Sequence, residues 1–184
     1  MNEKCTKVTI KGLKTGRWIF YLCVIILSYS NLSAQNVDFE KVYPLELTGE
    51  NGSKKELVIY LTGDGGWNNF SKNLSQEFEK QGYGVVTLNS RKYFWNEKSP
   101  EVLAHDIELI SEYFMNEWGK TSIIIVGYSF GADVASFLPS YLPVELIKKI
   151  KRIVLLSPSA STDFVVKLSD MFGENDTDKR KFKV

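Results

Sequence analysis

The chain has 184 residues, of which 43% are hydrophobic, 24% charged and 13% aromatic, and its formal net charge is +1. That balance excludes a disordered segment and a polybasic nucleic-acid binder. Five Pro and 13 Gly spread along the chain exclude collagen-like and low-complexity classes, and the length suits one domain around one core.

Lys4, Lys7, Lys11, Lys14 and Arg17 precede an uncharged run over 18–29, followed by small and polar residues ending Ser33-Ala34-Gln35. This order predicts a secretory signal over residues 1–34. The run has 12 residues, short of the roughly 20 that a spanning helix needs, so cleavage is expected, with an uncleaved signal anchor as the alternative. Without the leader the net charge becomes −3, because five of the 23 basic and one of the 22 acidic residues leave with it. Cys5 and Cys23 leave too, which removes thiol chemistry from the exported product. Tyr21 and Leu22 before Cys23 argue against lipoprotein processing. Residues 35–184 are expected to form the single folded domain.

Residues 42–47 predict an antiparallel strand that Pro44 confines to an edge. Four largely apolar runs follow, at 57–61, 83–88, 122–126 and 152–157, and suit parallel strands buried on both faces. Between the first two, Phe70, Leu74 and Phe78 recur at helical period behind a cap at Asn68. Between the next two, Leu103, Ile107, Ile110, Phe114 and Trp118 do the same. Strand and helix alternating in this way predict an α/β class with a mostly parallel, doubly wound sheet. From Gly173 the chain becomes a charged stretch that ends as though a further strand were beginning, so the sheet is expected to lack its last strands.

Gly127-Tyr128-Ser129-Phe130-Gly131 follows the 122–126 run and precedes a segment with Ala132, Ala135 and Leu138. A GxSxG between a strand and a helix is the pattern of a nucleophile elbow, with Ser129 as nucleophile and Tyr128 beside the substrate. The oxyanion donors would be the Phe130 N–H and, from the Gly-rich loop after 57–61, the Asp64 or Gly65 N–H. The loop after 83–88 carries Arg91, Lys92, Phe94 and Trp95 at the same sheet edge, where the cations suit a phosphate and the aromatics an acyl or glycerol pocket, the alternative being aromatics in the core and cations in solvent. No histidine follows Ser129, and the only one, His105, lies roughly 200° around the helical wheel from Leu103, which places it toward solvent. Asp163 holds a position that a triad acid can occupy, although a turn residue is the plainer reading. No cofactor and no metal is called for.

Gly63-Asp64-Gly65-Gly66-Trp67, 90–95 with Ser99-Pro100-Glu101, and Gly127 to Asp133 together resemble the VirJ/AcvB family of bacterial virulence proteins, over about 56–173. The resemblance implies an exported α/β-hydrolase of the periplasm with Ser129 as nucleophile. Its substrate would be an aminoacylated phosphatidylglycerol such as the lysyl lipid, and its surroundings a membrane surface. Family members continue into strands that bring an acid and a histidine, which these residues do not contain. A serine hydrolase with Asp64 facing the substrate amine and a non-catalytic binding protein with the same fold are the two functional expectations. No nucleic-acid partner and no particular oligomeric state is implied.

Overall fold

Val, Ile and Leu fill most positions of β2 (Glu56–Leu61), β3 (Gly84–Leu88) and β4 (Ser122–Tyr128), and a strand apolar on both faces must be covered on both. The computed structural model describes residues 39–166 and 181–184. The leader expected over 1–34 and most of the charged stretch after Gly173 lie outside the described residues. The described part falls in one compact unit, Asp38–Val184. After a short helix α1 (Phe39–Val42), β1 (Leu45–Thr48) pairs antiparallel with β3, with Leu45 opposite Leu88. β2 lies parallel between β3 and β4, and β4 pairs in parallel with β5 (Ile150–Leu156). The order β1-β3-β2-β4-β5 makes the fold α/β with a mostly parallel central sheet, and puts the Pro44-flanked strand at an edge as its sequence requires.

One face of the sheet carries α2 (Asn69–Lys80). Its capping Asn68 accepts a hydrogen bond from the Ser71 N–H at 3.0 Å, which satisfies one of the free N–H groups of the first turn. The predicted apolar stripe is displaced, because Ser71 and Ser75 are the buried centre, Leu74 and Phe78 flank it, and Phe70 is exposed. Small side chains let the helix approach closely, and their hydroxyls are matched: Tyr60 donates to Ser71 Oγ at 3.3 Å, and Ser75 Oγ lies 2.6 Å from Thr48 Oγ1.

The other face carries α4 (Pro100–Glu117), reached through α3 (Ser90–Tyr93). Ser99 accepts from the Val102 N–H at 3.3 Å and Pro100 starts the helix, a favourable first turn for a residue with no N–H. Leu103, Ile107, Ile110 and Phe114 are buried as their spacing predicts. Each such side chain contributes roughly 1.5–3 kcal/mol of burial.

After β4 come α5 (Phe130–Ala135), α6 (Leu138–Tyr141) and α7 (Val144–Ile147). A two-stranded antiparallel sheet, β6 (Ser161–Thr162) with β7 (Phe182–Lys183), follows β5. β7, the last strand of the described residues, pairs with β6 and not with the central sheet. Phe137, Phe164 and Phe182 join edge to face there, with centroids 5.1–5.8 Å apart.

Candidate functional site

Ser129 stands between β4 and α5 with φ 51° and ψ −123°, backbone that a residue with a Cβ rarely adopts and that marks stored strain. The neighbours hold it there. A Cβ on Gly131 would lie 2.2 Å from the Leu61 carbonyl oxygen, and one on Gly127 would lie 2.5 Å from the Gly131 carbonyl oxygen. Only glycine allows β2, β4 and α5 to approach this closely. The Ser129 N–H donates to the Leu156 carbonyl at 2.8 Å, and its own carbonyl accepts from the Ala132 and Asp133 N–H groups at 2.8 and 3.0 Å. Next to Leu156, Ser157 is the other non-glycine residue with positive φ among the described residues, at 53°. Buried Asp133 accepts from the Ser159 N–H at 2.5 Å, holding the segment after β5 against α5.

The 62–67 loop passes beside the serine. A Cβ on Gly63 would be 3.4 Å from Ser129 Cβ and 3.3 Å from Tyr128 Cδ1. The loop closes as a turn through Gly66 N–H to the Gly63 carbonyl at 3.0 Å, and is tied to the next loop by Ser90 N–H donating to Thr62 Oγ1 at 2.9 Å. Among the described residues the N–H groups of Phe130, Asp64 and Gly65 have no hydrogen-bond partner. Half-buried Tyr128 packs against exposed Phe70, with centroids 4.3 Å apart and the rings tilted by 35°, so Phe70 is a wall of the site rather than a core residue.

On the far side of the same turn, Gly66 sits at φ 65°, where a Cβ would meet Asn89 Oδ1 at 2.7 Å and Arg91 Cβ at 3.0 Å. A cleft of about 700 Å³ opens here, lined by Glu46, Gly65–Trp67, Asn89, Arg91, Lys92, Trp95 and Asn96. Arg91, Lys92 and Trp95 thus line one cleft, while Ser129 and Tyr128 lie across the turn from it and do not line it. Phe94 is displaced from its expected role: it is 0% exposed and its ring packs edge to face on Tyr93, Phe130 and Phe164. An aromatic ring with no polar handle gains most from full burial, and Phe94 buttresses the helix behind Ser129. Asp64 is half-buried and does not line the cleft. The cleft carboxylate is Glu46 of β1. Nothing local in the sequence links position 46 to position 91, and the antiparallel pairing of β1 with β3 is what brings them together.

The cleft wall is anchored from below. Tyr93 donates to Asp106 Oδ2, and Tyr43 donates to Asp106 Oδ1 at 3.0 Å. Burial first, and the Asp106 hydrogen bond second, raise the Tyr43 phenol to about 12 and push that of Tyr93 well above its ordinary value. Lys98 Nζ stands 4.5 Å from the Tyr93 ring centroid. His105 is exposed on α4, with Nδ1 3.8 Å from Glu108 Oε2, and no hydrogen bond joins it to Ser129. Asp163 accepts from the Lys181 N–H at 2.9 Å. Among the described residues no cluster of three or more His, Cys, Asp or Glu could hold a metal, and no helix is long and apolar enough to cross a membrane.

The chain belongs to the VirJ family of bacterial virulence proteins, which matches residues 55–184. It is 31% identical over 75 residues to the lysosomal acid lipase/cholesteryl ester hydrolase of Macaca fascicularis, a match that covers 41% of this chain and 18% of that relative. Solved structures similar to it include lipase B of Aspergillus fumigatus, at 15% identity and TM-score 0.49, covering 64% of this chain and 28% of that one. A hydrolase from Oleispira antarctica is similar at 20% identity and TM-score 0.47, covering 67% and 44%. The chain therefore spans less than half the length of each of these proteins.

Proposed function

We propose that this VirJ family member is an exported serine ester hydrolase whose substrate is an aminoacylated phospholipid of the lysyl-phosphatidylglycerol kind. The observation that carries the reading is Ser129 held at φ 51° between β4 and α5, beside N–H groups of Phe130, Asp64 and Gly65 that no described residue occupies. In the reaction Ser129 Oγ bonds to the ester carbonyl carbon as its proton passes to a water molecule, since no described residue hydrogen-bonds the hydroxyl. The unpartnered N–H groups receive the oxyanion. The bond to the glycerol oxygen then breaks, the glycerol hydroxyl leaves protonated, and water releases the amino acid from the acyl-serine. Arg91 and Lys92 suit the lipid phosphate, and Trp67 and Trp95 its glycerol. Trp95, 55% exposed, suits contact with a membrane surface. Export rests on the basic, apolar and small-residue order of the leader. Expressed with it in a Gram-negative host, the protein should leave the cytoplasm and begin at or near Gln35. Intact protein retaining Met1 in the soluble cytoplasm would refute export.

A second reading, a binding protein that keeps the fold without turnover, is favoured by one observation: no described residue hydrogen-bonds the Ser129 hydroxyl as a base. A fluorophosphonate probe separates the two. The hydrolase reading expects slow labelling of the 184-residue chain, abolished by Ser129→Ala and untouched by His105→Ala. Residual turnover of the order that oxyanion donors alone sustain, about 10³ to 10⁴ over water, should accompany it. No labelling at all favours the binding protein, and labelling that survives Ser129→Ala removes Ser129 from the chemistry.

A further inference from the structure

We propose that Glu46 reads an ammonium of the ligand in the cleft that Arg91 and Lys92 also line, so that the cleft selects a head group with an ammonium beside its phosphate over a purely anionic one. This rests on the reading of the cleft as the head-group site. Glu46, Arg91 and Lys92 all line the same cleft of about 700 Å³, yet none of the three has an ion-pair or hydrogen-bond partner for its side chain among the described residues.

Their backbones are anchored separately. Glu46 is fixed on β1 opposite Thr87. Arg91 is fixed by the close approach of Gly66, by Asn89 accepting from the Lys92 N–H at 3.3 Å, and by the bond from Tyr93 to Asp106. A ligand with a phosphate alone would satisfy one wall and leave a half-buried carboxylate facing an anion. A ligand with a phosphate and an amine satisfies both, and Trp67 and Trp95 add ring faces that favour a cation. Asp64, the carboxylate expected from the sequence, is not in the cleft. The other reason for a charge on β1 is to blunt an edge strand, and that role predicts a change in self-association rather than in ligand choice.

Calorimetric titration of the Ser129→Ala protein, in which turnover cannot confuse binding, decides the matter. Three soluble dihexanoyl lipids serve as probes: phosphatidylglycerol, its lysyl ester, and the lysyl ester with both amines acetylated. Glu46→Gln should raise Kd for the lysyl ester about tenfold and leave the other two within about twofold. Arg91→Ala with Lys92→Ala should weaken all three. Binding of the lysyl ester that Glu46→Gln leaves unchanged, or a loss equal for all three lipids, overturns the assignment of Glu46 while keeping the cleft. The same holds if Glu46→Gln alters only self-association. Failure of the unsubstituted cleft to bind any of the three overturns the head-group reading itself.

Discussion

On the Gly63 side of the 62–67 loop the surroundings of Ser129 are backbone: carbonyls of Leu61, Thr62 and Gly131 within 2.2–2.5 Å of where glycine Cβ atoms would stand. On the Gly66 side they are side chains, with Glu46, Arg91, Lys92 and Trp95 around an open cleft. A single turn separates a place where geometry is imposed by close main-chain contact from one where charge is presented by side chains that form no ion pair with one another. Main-chain contacts cannot yield without moving strands, so the serine side should be costly to disturb and tolerant of little. Side chains facing a cleft can change with almost no effect on folding, so selectivity should be tunable there independently of stability.

The largest expected effect tests the rigid side. Gly131→Ala must displace the Leu61 and Thr62 carbonyls, and should destabilise the protein by about 3 kcal/mol or more. Denaturant unfolding that finds less than about 1 kcal/mol would show that the turn yields and would break the contrast.

Next comes the anchor beneath the cleft. Asp106→Asn removes the charged acceptor shared by Tyr43 and Tyr93 and should destabilise by about 2 kcal/mol. It should also lower lipid affinity, because α3 carries Arg91. The same pair predicts a pH dependence. Tyr43 is raised from its model-compound value of 10.0 to about 12, so between those values the folded state holds more protons than the unfolded one and stability falls as pH rises. That contribution is complete below pH 10. Tyr93 shifts in the same direction. Phenolate absorbance should appear earlier in Asp106→Asn but not at the ordinary value, since burial is the larger cause. Identical titration of variant and parent would detach the tyrosines from Asp106.

Smaller still is the strain at the serine. Ser129→Gly relieves φ 51° and should stabilise by about 1 kcal/mol while abolishing probe labelling. A loss of stability would mean that the turn stores no strain. At the bottom of the scale, Arg91→Ala with Lys92→Ala should leave the unfolding free energy nearly unchanged, within about 0.5 kcal/mol, while lipid binding falls.

Local pattern was enough for the class of fold and for the turn at Ser129, because strands buried on both faces and a serine between two glycines are properties of adjacent residues. The same holds for the helix starts at Asn68 and Ser99 and for the outward placing of His105, which depend only on spacing along one helix. Pairing between distant segments decided the rest. Phe94 and Trp95 are neighbours in sequence, yet one is fully buried and the other 55% exposed, since α5 and the 164 segment close over the first and leave the second at the cleft. Phe70 and Ser71 exchange the roles that periodicity suggests, because α2 approaches the sheet closely enough that only small hydroxyl side chains fit beneath it. The carboxylate that lines the cleft is Glu46 and not Asp64, because an edge strand running antiparallel carries Glu46 to the carboxyl end of β3. Composition and spacing report what one element needs, while the identity of the residues that share a cleft depends on how elements far apart in the chain are registered against each other.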